Sequence, residues 1–207
     1  MEKRTLIMKK KSIAIGLNAL LVIMGIAGFV LTVRDIGFFD FQYYTQDSNL
    51  LSLIASCFLL YYLVKGKKTP RNVTLLKYMS VVSLSVTFLV VIFILAPMFS
   101  FNYKWLLLAG NMLFYHFLCP VVAFISFVFF EEHSLKKKDF LVGILFTIIY
   151  AIILVVLNAL GVVDGPYPFL KISEQSLLAS IFWMICILGG ACLIALGLRS
   201  LKKNRGW

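Results

Sequence analysis

Apolar residues run along this chain in stretches of about twenty, separated by short polar segments, at 12–33, 43–64, 77–97, 105–130, 140–160 and 177–198. Helices of that length match a hydrocarbon slab of about 30 Å, so the pattern predicts an all-α, polytopic membrane protein: one domain, a bundle of six transmembrane helices. The second stretch departs from uniform hydrophobicity. At helical spacing Thr45, Asn49, Ser52 and Ser56 fall at i, i+4, i+7 and i+11 and share one face. Such groups need partners in hydrocarbon, so this face should point inward. Thr45-Gln-Asp-Ser also reads as a helix-capping arrangement. Ser80, Ser83 and Thr87 in the third stretch are expected to serve close helix packing, as are Tyr150 and Asn158 in the fifth.

Composition agrees, with 61% hydrophobic and 14% charged residues. The net charge of +11 could point to nucleic acid, but the basic residues sit between the apolar runs, where topology signals lie, and no nucleic-acid partner is expected. Of the 20 Lys and Arg, all but Arg34, Lys104 and Lys171 fall in the N-terminal segment, the loops after spans two and four, or the C-terminal tail. The positive-inside rule then places both termini in the cytoplasm, with outer loops at 34–44, 98–104 and 161–176. The last of these, with two prolines and two glycines, should form an ordered turn. Tyr43, Tyr44, Tyr103, Trp105, Tyr167 and Phe169 suit an interfacial aromatic belt. The run from Ser12 is longer than a signal-peptide core, and a retained first helix is expected. Cys57, Cys119, Cys186 and Cys192 lie inside apolar runs without a paired motif, so neither a disulfide framework nor a metal site nor any other cofactor is indicated. His133, among lysines and glutamates, reads as a solvated loop residue.

The candidate chemistry centres on His116, the one histidine inside an apolar run, with no second buried ionisable group expected beside it. Pro120 lies four residues on and cannot donate to the His116 carbonyl, which predicts a kink and a polar spot shared with Asn111 and Tyr115. Counting 1.5 Å per residue from the basic ends puts Thr45 and His116 both in the outer half, roughly 7 Å apart along the axis. A hydroxyl nucleophile needs a base, and His116 suits that role near neutral pH. The leading expectation is therefore an intramembrane lipid-ester hydrolase with Thr45 as nucleophile and His116 as base, membrane lipids as substrate, and Asp47, Ser48, Asn49, Ser52, Asn111 and Tyr115 as substrate-binding or supporting groups. The alternatives are a small transporter or lipid-binding protein with its polar site around His116, and an assembly partner in which the polar groups only join helices. Gly25, Gly28, Gly189 and Gly190 could serve internal packing or a dimer.

Tyr44-Thr45 with Ser48-Asn49-Leu50-Leu51, Tyr115-His116 with Pro120, and Tyr167-Pro168-Phe169 resemble the androgen-induced membrane hydrolases and their six-helix bacterial relatives. The resemblance follows span order over most of the chain. It implies a helical membrane bundle in which a threonine and a histidine, here Thr45 and His116, hydrolyse fatty acid esters of hydroxy fatty acids or related lipids, and a home in a cell membrane, here the bacterial cytoplasmic membrane. Gln46-Asp47-Ser48 and Phe117-Leu118-Cys119-Pro120 depart from the eukaryotic pattern.

Overall fold

The computed structural model describes residues 2–38, 40–132 and 134–204, so His133 and Arg205 lie outside the described residues. The long helices are α1 (Glu2–Ile36), α2 (Tyr44–Val64), α3 (Arg71–Met98), α5 (Leu113–Phe130), α6 (Phe140–Ala159) and α7 (Leu177–Asn204), with a short α4 (Tyr103–Leu108) before α5. All six are long and apolar enough to cross a membrane, the makeup of a multi-pass membrane protein. Among the described residues there is no strand.

The fourth apolar run is not the single helix 105–130. It breaks after Leu108, turns through Ala109 to Met112 with Gly110 at φ +50°, and resumes at Leu113. Glycine reaches that left-handed backbone without the steric cost other residues incur. The first, third and sixth helices extend beyond their apolar cores to 2–36, 71–98 and 177–204, because hydrophobicity marks what lipid covers and not where backbone hydrogen bonding stops. Lys77 and Lys202, taken from the pattern as loop and tail charges, consequently lie on α3 and α7, and both are buried.

Helix α3 is the most buried of the six and packs against α2, α5, α6 and α7, whereas α1 closes the bundle against α2 and α5. In hydrocarbon little drives helices together through apolar burial, so close fit and polar contacts carry the association. Gly28 on α1 meets the Tyr115 ring, where an added Cβ would stand 2.4 Å from Cε1. Gly143 on α6 likewise admits Tyr78, whose hydroxyl donates to the Ala195 carbonyl of α7 at 2.6 Å. Gly25 packs on Leu53, so Gly25 and Gly28 are both spent inside the bundle, whereas Gly189 and Gly190 face open space.

The end of the bundle that carries both termini holds an ionic centre. Lys77 and Glu131, at 0% and 1% side-chain exposure, stand 3.7 Å apart. Lys77 donates to Ser56 at 2.9 Å, while Glu131 Oε1 accepts from Asn18 at 2.8 Å and Ser126 at 2.7 Å. Lys202 donates to the Glu131 carbonyl. Side chains from α1, α2, α3, α5 and α7 thus converge around Glu131, the residue that terminates α5, and His116 is not the only buried ionisable residue.

Candidate functional site

At the opposite end, α2, α3, α6, α7 and the 161–176 loop enclose a cleft of about 290 Å³, close to the lower bound for small-molecule sites. Its few polar side-chain groups are the hydroxyls of Tyr44, Thr45, Thr87, Thr147, Tyr150, Tyr167 and Ser180 and the Trp183 indole; the remainder is almost wholly apolar, and no charged side chain lines it. Leu177, Ile181 and Met184 of α7, exposed on the outside of the bundle, form one wall. The cleft therefore borders the surface that lipid would cover.

The hydroxyls are held by neighbouring elements. Tyr150 of α6 donates to the Gln42 carbonyl at 2.5 Å and accepts from the Tyr44 N–H at 3.1 Å, fixing the entry to α2. Tyr44 and Thr147 share a hydrogen bond of 2.7 Å. Ser48 on α2 meets Thr87 on α3 at 2.9 Å. The 161–176 loop is an ordered turn with two short 3-10 segments, Pro168–Leu170 and Ile172–Glu174, and Asn158 pins it by donating to the Val163 carbonyl and accepting from the Ile172 N–H. That turn brings Tyr167 over α2, where its hydroxyl lies 3.5 Å from Thr45 Oγ1 and 3.4 Å from the Thr45 N–H. Phe169 stacks on Tyr167 with centroids 5.2 Å apart and leads on to Trp183 of α7. Burial pushes the Tyr167 phenol up to about 12, so it stays a hydrogen-bond donor at ordinary pH.

The inward stripe on α2 has the expected sense: Asn49, Ser52 and Ser56 are buried and Thr45 is half-buried at the cleft edge. The helix cap takes another form. Tyr43 is the N-cap residue with no side-chain hydrogen bond, and Gln46 reaches back to accept from the Asp40 N–H. Asp47 is half-buried and lies off the stripe.

Thr45 and His116 share no hydrogen bond. The Thr45 hydroxyl pairs with Tyr167, whereas His116 Nδ1 lies 2.7 Å from the Leu106 carbonyl. A carbonyl only accepts, so Nδ1 carries the proton and Nε2 of the neutral ring keeps its lone pair. Asn111 donates to Thr32 of α1 at 2.9 Å, and Tyr115 fills the hollow over Gly28. What joins the two regions is Asn49, whose amide donates to both the Thr45 carbonyl at 2.8 Å and the Tyr115 carbonyl at 3.1 Å.

The freed carbonyl also differs from the expected one. Residues Leu113–Leu118 are wound as a π-turn, in which the Cys119 N–H bonds to the Phe114 carbonyl five residues back. In that register Pro120 fails to serve Tyr115 rather than His116, and the Asn49 amide supplies the missing donor.

No family model, no curated protein and no solved structure matches this chain. Its function must be read from its own chemistry. The cleft residues that the sequence pattern did not single out as a site are Tyr44, Thr87, Thr147, Tyr150 and Tyr167. Their signal was the hydroxyl-bearing residues at the start of span two, within spans three and five and in the last outer loop, which by spacing alone read equally well as an interfacial belt and packing groups.

Proposed function

We propose that this protein is a lipid-binding protein of a cell membrane, which takes the apolar chain of an amphiphile into the cleft and hydrogen-bonds its uncharged polar group through Thr45 and Tyr167. One observation carries the reading: a cavity with apolar walls and a few uncharged polar groups, most of them hydroxyls, bordering the exposed apolar flank of α7. The orientation that fits has both termini in the cytoplasm and the cleft in the outer leaflet, and the home that fits is the bacterial cytoplasmic membrane.

Photolabelling tests this reading with an alkyne-tagged, diazirine-bearing fatty ester applied to membranes containing the protein. Ala151→Trp, which fills the cleft from α6, is expected to reduce labelling at least tenfold; unchanged labelling would remove the cleft from the argument. Thr45→Ala and Tyr167→Phe each delete one donor worth about 0.5–1.5 kcal/mol, and affinity should fall roughly 3- to 10-fold in each. Because Tyr167 remains protonated, its own contribution to that affinity is expected to stay constant through neutral and mildly alkaline pH.

The second reading is lipid-ester hydrolysis, supported by the position of Thr45 at the cleft edge and by the free Nε2 lone pair of His116, and it draws on the likeness to the androgen-induced membrane hydrolases. It requires α5 to shift so that His116 reaches the Thr45 hydroxyl. Its mark would be fluorophosphonate labelling of the wild type that disappears in Thr45→Ala and His116→Ala, with turnover lost by several powers of ten. A folded wild type that binds the ester without labelling or turnover leaves the binding reading alone.

A further inference from the structure

The basic end of the bundle contains one corner whose charge the protein does not balance. Gly66 ends α2 in the left-handed region at φ +63°, and the Lys11 ammonium of α1 approaches within 3.8 Å of where a Cβ would stand on it. Lys65, Lys67 and Lys68 flank the same glycine and are exposed. Lys67 lies over the Tyr61 ring, 5.8 Å from its centroid. Lysines drawn from the basic end of α1 and from the turn after α2 give this corner a positive potential that favours an anion beside it.

The described carboxylates of this end are largely committed elsewhere. Glu131 is enclosed by Asn18, Ser126 and Lys77, and Asp139 is gripped through both oxygens by Arg71 at 2.5 Å. Among the described residues, none forms an ion pair with Lys11, Lys65, Lys67 or Lys68.

Position along the helices identifies where the anion comes from. Lys11 immediately precedes the apolar run of α1, and Lys65 immediately follows that of α2, so both mark the same boundary between hydrocarbon and water. Directly inward from that corner, Tyr61, Phe58 and Ile54 occupy i, i−3 and i−7 on α2 and expose 50%, 51% and 43% of their surface, an apolar stripe along which acyl chains can lie. We infer that the Lys11–Gly66 corner is a binding site for the phosphodiester headgroup of an anionic phospholipid, whose chains run down the Tyr61–Phe58–Ile54 face. This site is separate from the cleft and does not depend on what the cleft binds.

Native mass spectrometry of the protein, extracted from mixed phosphatidylglycerol and phosphatidylcholine bilayers, tests the proposal. The wild type is expected to retain phosphatidylglycerol preferentially. Lys11→Gln with Lys67→Gln and Lys68→Gln should weaken that retention roughly 100-fold, since each lysine near an anionic surface contributes about fivefold. The control removes equal charge from the 136–138 loop by Lys136→Gln, Lys137→Gln and Lys138→Gln and should leave retention within a few-fold of wild type. Equal losses in both triples would mean diffuse surface charge and would overturn the site. Displacement of the lipid by millimolar inorganic phosphate would overturn the choice of lipid and make the corner a soluble-phosphate site. These lysines are not core residues, and an unchanged thermal transition for both triples would separate loss of binding from loss of fold.

Discussion

Glu131→Ala is expected to destabilise the bundle by about 3–5 kcal/mol, measured as a shift in unfolding by SDS titration in mixed micelles. The substitution leaves the Lys77 ammonium fully buried with Ser56 as its remaining close partner, and it strips acceptors from Asn18 and Ser126 at the same time. Its cost is that of stranding a charge, which differs from the worth of the pair. Lys77→Met combined with Glu131→Gln should accordingly recover most of the loss, because the charge that had to be neutralised is gone. A double variant as unstable as the single one would show that the cluster acts through shape and not charge. Since side chains of five helices converge there, protease sensitivity at the basic end should rise in the single variant before the rest of the bundle loosens.

Gly165→Val is expected to remove the roof of the cleft while sparing the bundle. A Cβ at that position would lie 2.5 Å from the Leu170 carbonyl oxygen and 2.8 Å from the Lys171 nitrogen. Both are backbone atoms that no rotamer change can clear, so the turn must open, at a cost of about 1–3 kcal/mol. Tyr167 and Phe169 move with it. Photolabelling by the fatty ester should fall at least as far as in Tyr167→Phe, with the thermal transition lowered by several degrees and the bundle still folded. Labelling at the wild-type level would show that the 161–176 turn does not form part of the binding surface.

How much of this was legible in the sequence depends on what each feature needs. The six helices were, because length and hydrophobicity are properties of each segment alone. So was the inward face of α2, since four polar residues at helical spacing define a direction without reference to any neighbour. The break before α5 carried only the weak mark of Gly110-Asn111, a dipeptide that turns and helices both accommodate when apolar residues surround it. Lys77 looked like a loop charge because its burial depends on Glu131, far along the chain and supplied by another helix. The separation of Thr45 from His116 was beyond reach for a similar reason. Similar depth on two helices says nothing of the azimuth at which each side chain points, and here α2 turns Thr45 towards α6 and the 161–176 turn while α5 turns His116 towards α4.

The Asn49 bridge means that α2 completes a hydrogen bond that α5 cannot make for itself. Proline at 120 removes a donor from one helix, and an amide on another restores it. Helix α5 is therefore not self-sufficient at this depth, and the bridge ties it to α2. A shift of α5 that carries His116 towards the cleft while α2 stays in place would break the bridge and leave the Tyr115 carbonyl without that donor. Restoring an N–H at position 120 would cut that tie, giving α5 its own hydrogen bond back and setting Asn49 free to turn elsewhere.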